Sequence, residues 1–146
     1  MPAHPSRPPQ EPHDIAATVA ALVAPIFDVD PATLSPATRL MADLPCESID
    51  LLEIGAGLNR RFAIPVRDAV AFLTDLRIHV LEAERTGEAP EARLAREYPH
   101  LSAARVAEVL AAVRVPGAPP VLTIGDVAAY VAWALARHNG HTGQSA

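Results

Sequence analysis

The sequence predicts an all-α protein, and three observations carry the prediction. Apolar residues recur at three- and four-residue spacing in several separate stretches. The alternation of β-branched and polar residues that marks half-buried strands is scarce. Alanine is abundant and aromatic residues make up only 4% of the chain, so the core must be assembled from aliphatic helix faces. Half of the 146 residues are hydrophobic, which supplies material for a core, and the length favours one domain.

The elements follow in order. Residues 1–13 contain five prolines and no periodicity, and read as a disordered arm. Asp14 can cap a first helix whose face is Ile15, Val19, Leu22, Val23 and Ile26. Pro25 kinks or ends that helix, and Pro31 keeps Asp30 out of helical geometry. The stretch DPATLSPATRLMADLPC, residues 30–46, reads as a long loop with Leu34, Leu40 and Leu44 turned to the core; a loop of this length in a small domain is often functional. A second helix begins at or beside Ser48, with Ile54, Leu58 and Phe62 as its buried stripe and Leu51 and Leu52 widening it. Gly55 and Gly57 cost it about 1–2 kcal/mol together relative to alanine, and permit close packing by a neighbour. Pro65 ends the segment. Residues 67–86 read as a third helix presenting Ala69, Phe72, Leu73, Leu76 and Val80 on one face, with Gly87 just past its end.

Pro90 suits the first turn of a short helix. Another helix runs from Ser102 to about Arg114, with Val106, Leu110 and Val113 in register. The run VPGAPP, from Val115 to Pro120, then breaks the chain. Thr123 and Asp126 stand at capping-box spacing before a last helix with the stripe Val127, Val131 and Leu135, flanked by Tyr130 and Ala134. Residues 138–146 read as a flexible tail, and no internal repeat is present.

Composition excludes several function classes. A net charge of -5 argues against a nucleic-acid binder, which normally carries a basic face, and suits a protein that meets basic patches on partners. Cys46 is the single cysteine, so no intrachain disulfide forms and a reducing compartment is expected. The proline-rich opening lacks the apolar core of a secretion signal, and no apolar stretch is long enough for a membrane span. Together these features predict a cytoplasmic protein. The histidines, among them His79, His100, His138 and His141, show no metal-ligand spacing. No acid, base and nucleophile set emerges, so the chain is not expected to be an enzyme. Cys46 reads as a small loop residue rather than a reactive thiol.

The informative segment is DLPCESIDLLEIGAGLNRRFAIP, residues 43–65. A serine stands where the long loop turns into an amphipathic helix, with Asp43, Glu47, Asp50 and Glu53 around it. Two local readings stand. Ser48 or Glu47 is an ordinary helix cap. Alternatively, Ser48 presents a hydroxyl for modification, since a helix N-terminus offers unpaired N–H groups and partial positive charge to a phosphate. Asp50 and Glu53 likewise suit a helix start through its dipole.

The wider pattern resembles the acyl carrier protein family. Asp43-Leu44 is similar to the Asp-Leu pair that opens the family motif. Ser48-Ile49 is similar to its Ser-Leu step, Asp50 and Glu53 to its acidic helix, and Phe62 with Ile64-Pro65 to its end. A distant second segment, Thr123-Ile124-Gly125-Asp126 followed by Val127 and Tyr130, resembles the opening of the family's last helix. The resemblance covers residues 14–66 and 121–137. Between the second and last helices lie roughly 55 residues, far beyond common connection lengths, where the family has a short third helix. Pro45-Cys46 stands in place of the family's glycine and small residue, and Glu47 in place of its aspartate.

The resemblance implies an acyl-carrier-like four-helix bundle spanning 14–137, with a helical insertion at about 67–118. It implies a covalent 4′-phosphopantetheine arm on Ser48, placed there by a phosphopantetheinyl transferase. The arm would hold acyl groups as thioesters for fatty-acid, specialised lipid or polyketide-type synthesis. Glu47, Asp50 and Glu53 would meet basic residues of acyl-transferring or condensing enzymes, and Ile49 and Ala56 would supply the apolar part of that contact. A monomer is expected. Two alternatives stand beside this reading: a carrier-like interaction module that is never modified, and a peptidyl or aryl carrier of a nonribosomal pathway.

Overall fold

The computed structural model describes residues 12–144, with side chains described from 14 to 138. The regular elements among the described residues are all helical, with an isolated bridge between Arg39 and Thr123 as the only β-type pairing among them. Seven α-helices follow in order: α1 Pro12–Val23, α2 Ser48–Phe62, α3 Asp68–Ala71, α4 Leu76–Thr86, α5 Pro90–Glu97, α6 Ala103–Val113 and α7 Ile124–Gln144. The arm expected at 1–13 lies outside the described residues except for Pro12 and His13. These already belong to α1, so Asp14 sits inside the helix rather than capping it. The tail expected from 138 is helical to Gln144, because α7 runs on without a break.

One continuous core joins all seven helices. Ile15, Val19 and Val23 of α1 are buried against α7, whose inner face carries Val127, Val131 and Ala134. Pro25 acts as the sequence predicts: α1 stops at Val23 and a 3-10 turn, Ala24–Phe27, replaces it. Gly57 explains the close approach of α2 to α1. A Cβ there would sit 3.0 Å from a Leu22 methyl, so any larger residue would require the Leu22 side chain to shift. On α2, Leu51, Ile54, Leu58 and Phe62 are buried as expected, but Leu52 is 61% exposed and does not widen the stripe.

The expected single helix over 67–86 is two helices. Phe72–Asp75 breaks it, and Leu73 takes a left-handed φ of 54°. Such a conformation costs a non-glycine residue about 1–2 kcal/mol. The turn buries Phe72, Leu73 and Leu76 together, and full burial of one leucine or phenylalanine side chain returns about 1.5–3 kcal/mol. Packing thus overrides local helix propensity at this turn. Ala69, expected on the buried face, is exposed, and Ala71 and Ala83 are buried instead.

The elements α4, α5 and α6 stack in sequence, and their buried residues Val80, Leu94, Tyr98, Val106 and Leu110 belong to the same core as α1, α2 and α7. Two polar anchors tie α7 to its neighbours. The Tyr130 hydroxyl on α7 accepts the Arg67 N–H at 3.1 Å and donates to the Pro65 carbonyl at 3.2 Å, fixing the α2–α3 connection. Arg105 on α6 grips the buried Asp126 carboxylate with both arms of its guanidinium, each at 2.8 Å. Asp126 also accepts the Thr123 N–H at 3.0 Å while its own N–H donates to the Thr123 hydroxyl at 3.1 Å, so the capping box at the start of α7 is real.

Candidate functional site

The loop before α2 is long but well held. The Leu40 N–H donates to the Leu122 carbonyl, the Ile124 N–H to the Thr38 carbonyl, and the Gly125 N–H to the Pro36 carbonyl, at 3.0, 3.0 and 2.8 Å. Leu40 is fully buried, and Leu34 and Leu44 pack at the core's edge. Arg39 closes a small ring with Asp43, its N–H and guanidinium both donating to that carboxylate, which holds the Asp43 carboxyl below its usual range. These hydrogen bonds tie residues 36–40 of the loop to the start of α7.

Ser48 is the first residue of α2 and is exposed. Glu47 occupies the cap position, with an extended backbone. Its N–H donates to the Asp50 carboxylate at 2.8 Å, and its carbonyl accepts the N–H groups of Asp50 and Leu51 at 3.0 and 3.2 Å. Glu47 and Asp50 thus define the helix start between them, and the Ser48 hydroxyl has no hydrogen-bond partner among the described residues. Of the two residues that could cap the helix, it is Glu47 that does so, and Ser48 does not. Asp50 is half-buried and engaged with backbone, whereas Glu47, Ile49, Glu53 and Ala56 are exposed. Ile49, Leu52, Glu53 and Ala56 line one outward face of α2 at three- and four-residue spacing.

Beside Ser48 lies an apolar pocket of about 330 Å³. Ser48 and Leu51 contribute one wall, Phe72, Leu73 and Leu76 the next, and Val113 with the 118–122 strand of loop the third. Thr74 and Arg77 add polar groups to the lining. Its volume lies at the small end of the range of ligand pockets. Sequence reasoning missed this feature, because its walls come from residues 72–78, 113 and 118–122, far from Ser48 in the chain. The apolar pair Phe72-Leu73 and the prolines 119 and 120 were the available signals.

Other titratable groups are not brought to Ser48. Cys46 is buried, and burial, with the nearby Asp50 charge, pushes its thiol up to about 11, so it is no nucleophile at neutral pH. His79 accepts from the Arg93 guanidinium at 3.3 Å and packs edge-on to Tyr98. His100 packs edge-on between Tyr98 and Tyr130, with both ring nitrogens buried and without a partner. Burial pushes its imidazole down to about 4, against the opposing pull of Asp126. His138 is exposed near the end of the described side chains, and His141 lies beyond them. No group of His, Cys, Asp and Glu among the described residues is arranged to hold a metal ion. A larger open groove of about 870 Å³ runs past His100, Arg105 and Asp126, but its charged groups are satisfied by one another. No helix among the described residues is long and apolar enough to cross a membrane.

No protein-family model matches this chain, and no curated protein or solved structure is significantly similar to it.

Proposed function

We propose that this chain is a carrier protein that holds acyl groups as thioesters on a phosphopantetheine arm at Ser48, and that it does no chemistry of its own. The observation that carries the reading is the setting of Ser48. Its hydroxyl is exposed, uncommitted to capping, positioned at a helix N-terminus and open onto an apolar pocket. The N–H groups of Ser48 and Ile49 find no acceptor among the described residues, so they remain for a phosphate on the serine. The packing of α1, α2 and α7 around one core suits the helical frame of such carriers; residues 67–118, which hold α3 to α6, are then the insertion.

The phosphopantetheine group supplies a terminal thiol on which an acyl group is carried as a thioester. The chain's own residues present and position. The Ser48 oxygen forms its bond to phosphorus as the pyrophosphate bond of coenzyme A breaks; the nucleotide leaves and the hydroxyl proton passes to the transferase. Among the described residues no side chain hydrogen-bonds the Ser48 hydroxyl, and this proposal needs no base from the chain, because the transferase brings it. Exposed Glu47 and Glu53 favour encounter with basic partner surfaces, and exposed Ile49 and Ala56 give the contact its apolar part. Asp50 contributes mainly by holding the helix start.

Co-expression with a broad phosphopantetheinyl transferase, followed by intact-mass measurement, tests the proposal. One pantetheine adduct, lost in Ser48→Ala, is expected; an unmodified chain with every transferase tried would refute it. A second reading, an interaction module that is never modified, rests on the apolar side chains exposed on α2 and α4, Ile49, Leu52, Ile78 and Leu81.

A further inference from the structure

Arg77 lines the pocket that Ser48 also lines. It lies on α4, in the segment without a counterpart in the family resemblance. Its guanidinium is exposed and has no ion-pair or hydrogen-bond partner among the described residues. The surroundings of Ser48 on its own helix are acidic: Glu47, Asp50 and Glu53 all lie within five residues. A phosphodiester on Ser48 would therefore stand at the free N–H groups of Ser48 and Ile49, in an acidic stretch of chain, with Arg77 as an unpaired cation lining the same pocket. Like charges repel the phosphate toward solvent, and an arginine fork is the side chain best matched to pull it back. Apart from Ser48, Thr74 and Arg77 the lining side chains are apolar, with Phe72, Leu73 and Val113 among them.

We infer that Arg77 is an in-cis anchor for the phosphodiester at Ser48, holding the arm against the pocket instead of leaving it free in solution. This rests on the carrier reading of Ser48 and names a residue of this chain that positions the arm. Arg77 is a positioning residue, since it would touch the arm near its attachment and not the thioester.

The experiment loads the full chain with a pantetheine carrying an environment-sensitive fluorophore, using a broad phosphopantetheinyl transferase, and confirms loading by intact mass. Fluorescence anisotropy and the phosphorus chemical shift of the phosphodiester then report whether the arm is held. Wild type, Arg77→Gln, Arg77→Lys and Arg60→Gln are compared at low and high salt. Arg60 is a control, lying toward the other end of α2. The docked-to-free ratio should fall about two- to fivefold in Arg77→Gln, the range expected for one partly exposed charge pair. It should stay near wild type in Arg60→Gln, and be partly kept in Arg77→Lys. High salt should lower it in wild type and change little in Arg77→Gln. A loaded Arg77→Gln protein that matches wild type in both readouts would overturn the anchor alone. No loading of any variant would overturn the carrier reading and the anchor with it. Unchanged thermal melting of Arg77→Gln separates the result from misfolding, since this side chain holds no partner in the fold.

Discussion

Protonation of His100 should cost this fold stability below neutral pH. The imidazole is wedged edge-on between Tyr98 and Tyr130, its nitrogens buried and unpartnered. Folding therefore lowers its pKa from 6.5 to about 4. Between those two values the unfolded chain binds a proton that the native protein refuses. Stability is fully present above 6.5, declines as pH falls toward 4, and loses nothing further from this group below that. The full shift corresponds to about 3 kcal/mol, and most of it, about 2–3 kcal/mol, is lost by pH 4.5. Urea unfolding at pH 7.5 and 4.5 measures the difference. Other groups, carboxylates among them, titrate in the same window, so the comparison must be made with His100→Phe, which keeps a ring between the tyrosines and removes the titration. The variant should lose about 2–3 kcal/mol less than wild type over this interval. At pH 7.5 it should be at least as stable as wild type, because two unpaired buried nitrogens are gone. Equal pH dependence in the two proteins would refute the reasoning.

Two further outcomes follow from other contacts. Arg105→Met should destabilise the protein by about 3 kcal/mol, because it strands the buried Asp126 carboxylate; Asp126→Asn added to it should recover part of the loss in a double-mutant cycle read by denaturation midpoints. A surface-pair cost below about 1 kcal/mol would show that Asp126 finds other solvation. Cys46 should react with a thiol reagent at pH 8 about a hundredfold more slowly than a free cysteine, since burial leaves so little thiolate; fast, complete labelling of the native protein would contradict its buried placement.

Periodic residues made most of the helices legible. Ile54, Leu58 and Phe62 on α2, Val106 and Leu110 on α6, and Val127 and Val131 on α7 all face inward, and Gly87 ends α4 in the left-handed conformation its position suggested. Local patterning failed where tertiary packing overruled it. Leu73 accepts backbone strain so that the 67–86 segment can bend, and Leu52, apolar in pattern, stays outside. Asp126 was legible as a cap, but its pairing with Arg105 was not, because the two residues meet only when α6 docks on α7. Around Ser48 the sequence placed the helix start within one residue and left its cap undecided; the Glu47–Asp50 bond decides it. The pocket and Arg77 were invisible beforehand, since they depend on where the long segment between α2 and α7 folds back.

Ser48 is where the proposed arm would be attached. Tandem mass spectrometry of the protein purified from its own cells tests this most directly, by reading the modification on the peptide that contains residues 43–61. The account predicts a phosphopantetheine on Ser48, with an acyl group on its thiol in a fraction of the molecules. A chain that is unmodified at Ser48 in its own cell, or that bears the arm elsewhere, would contradict it.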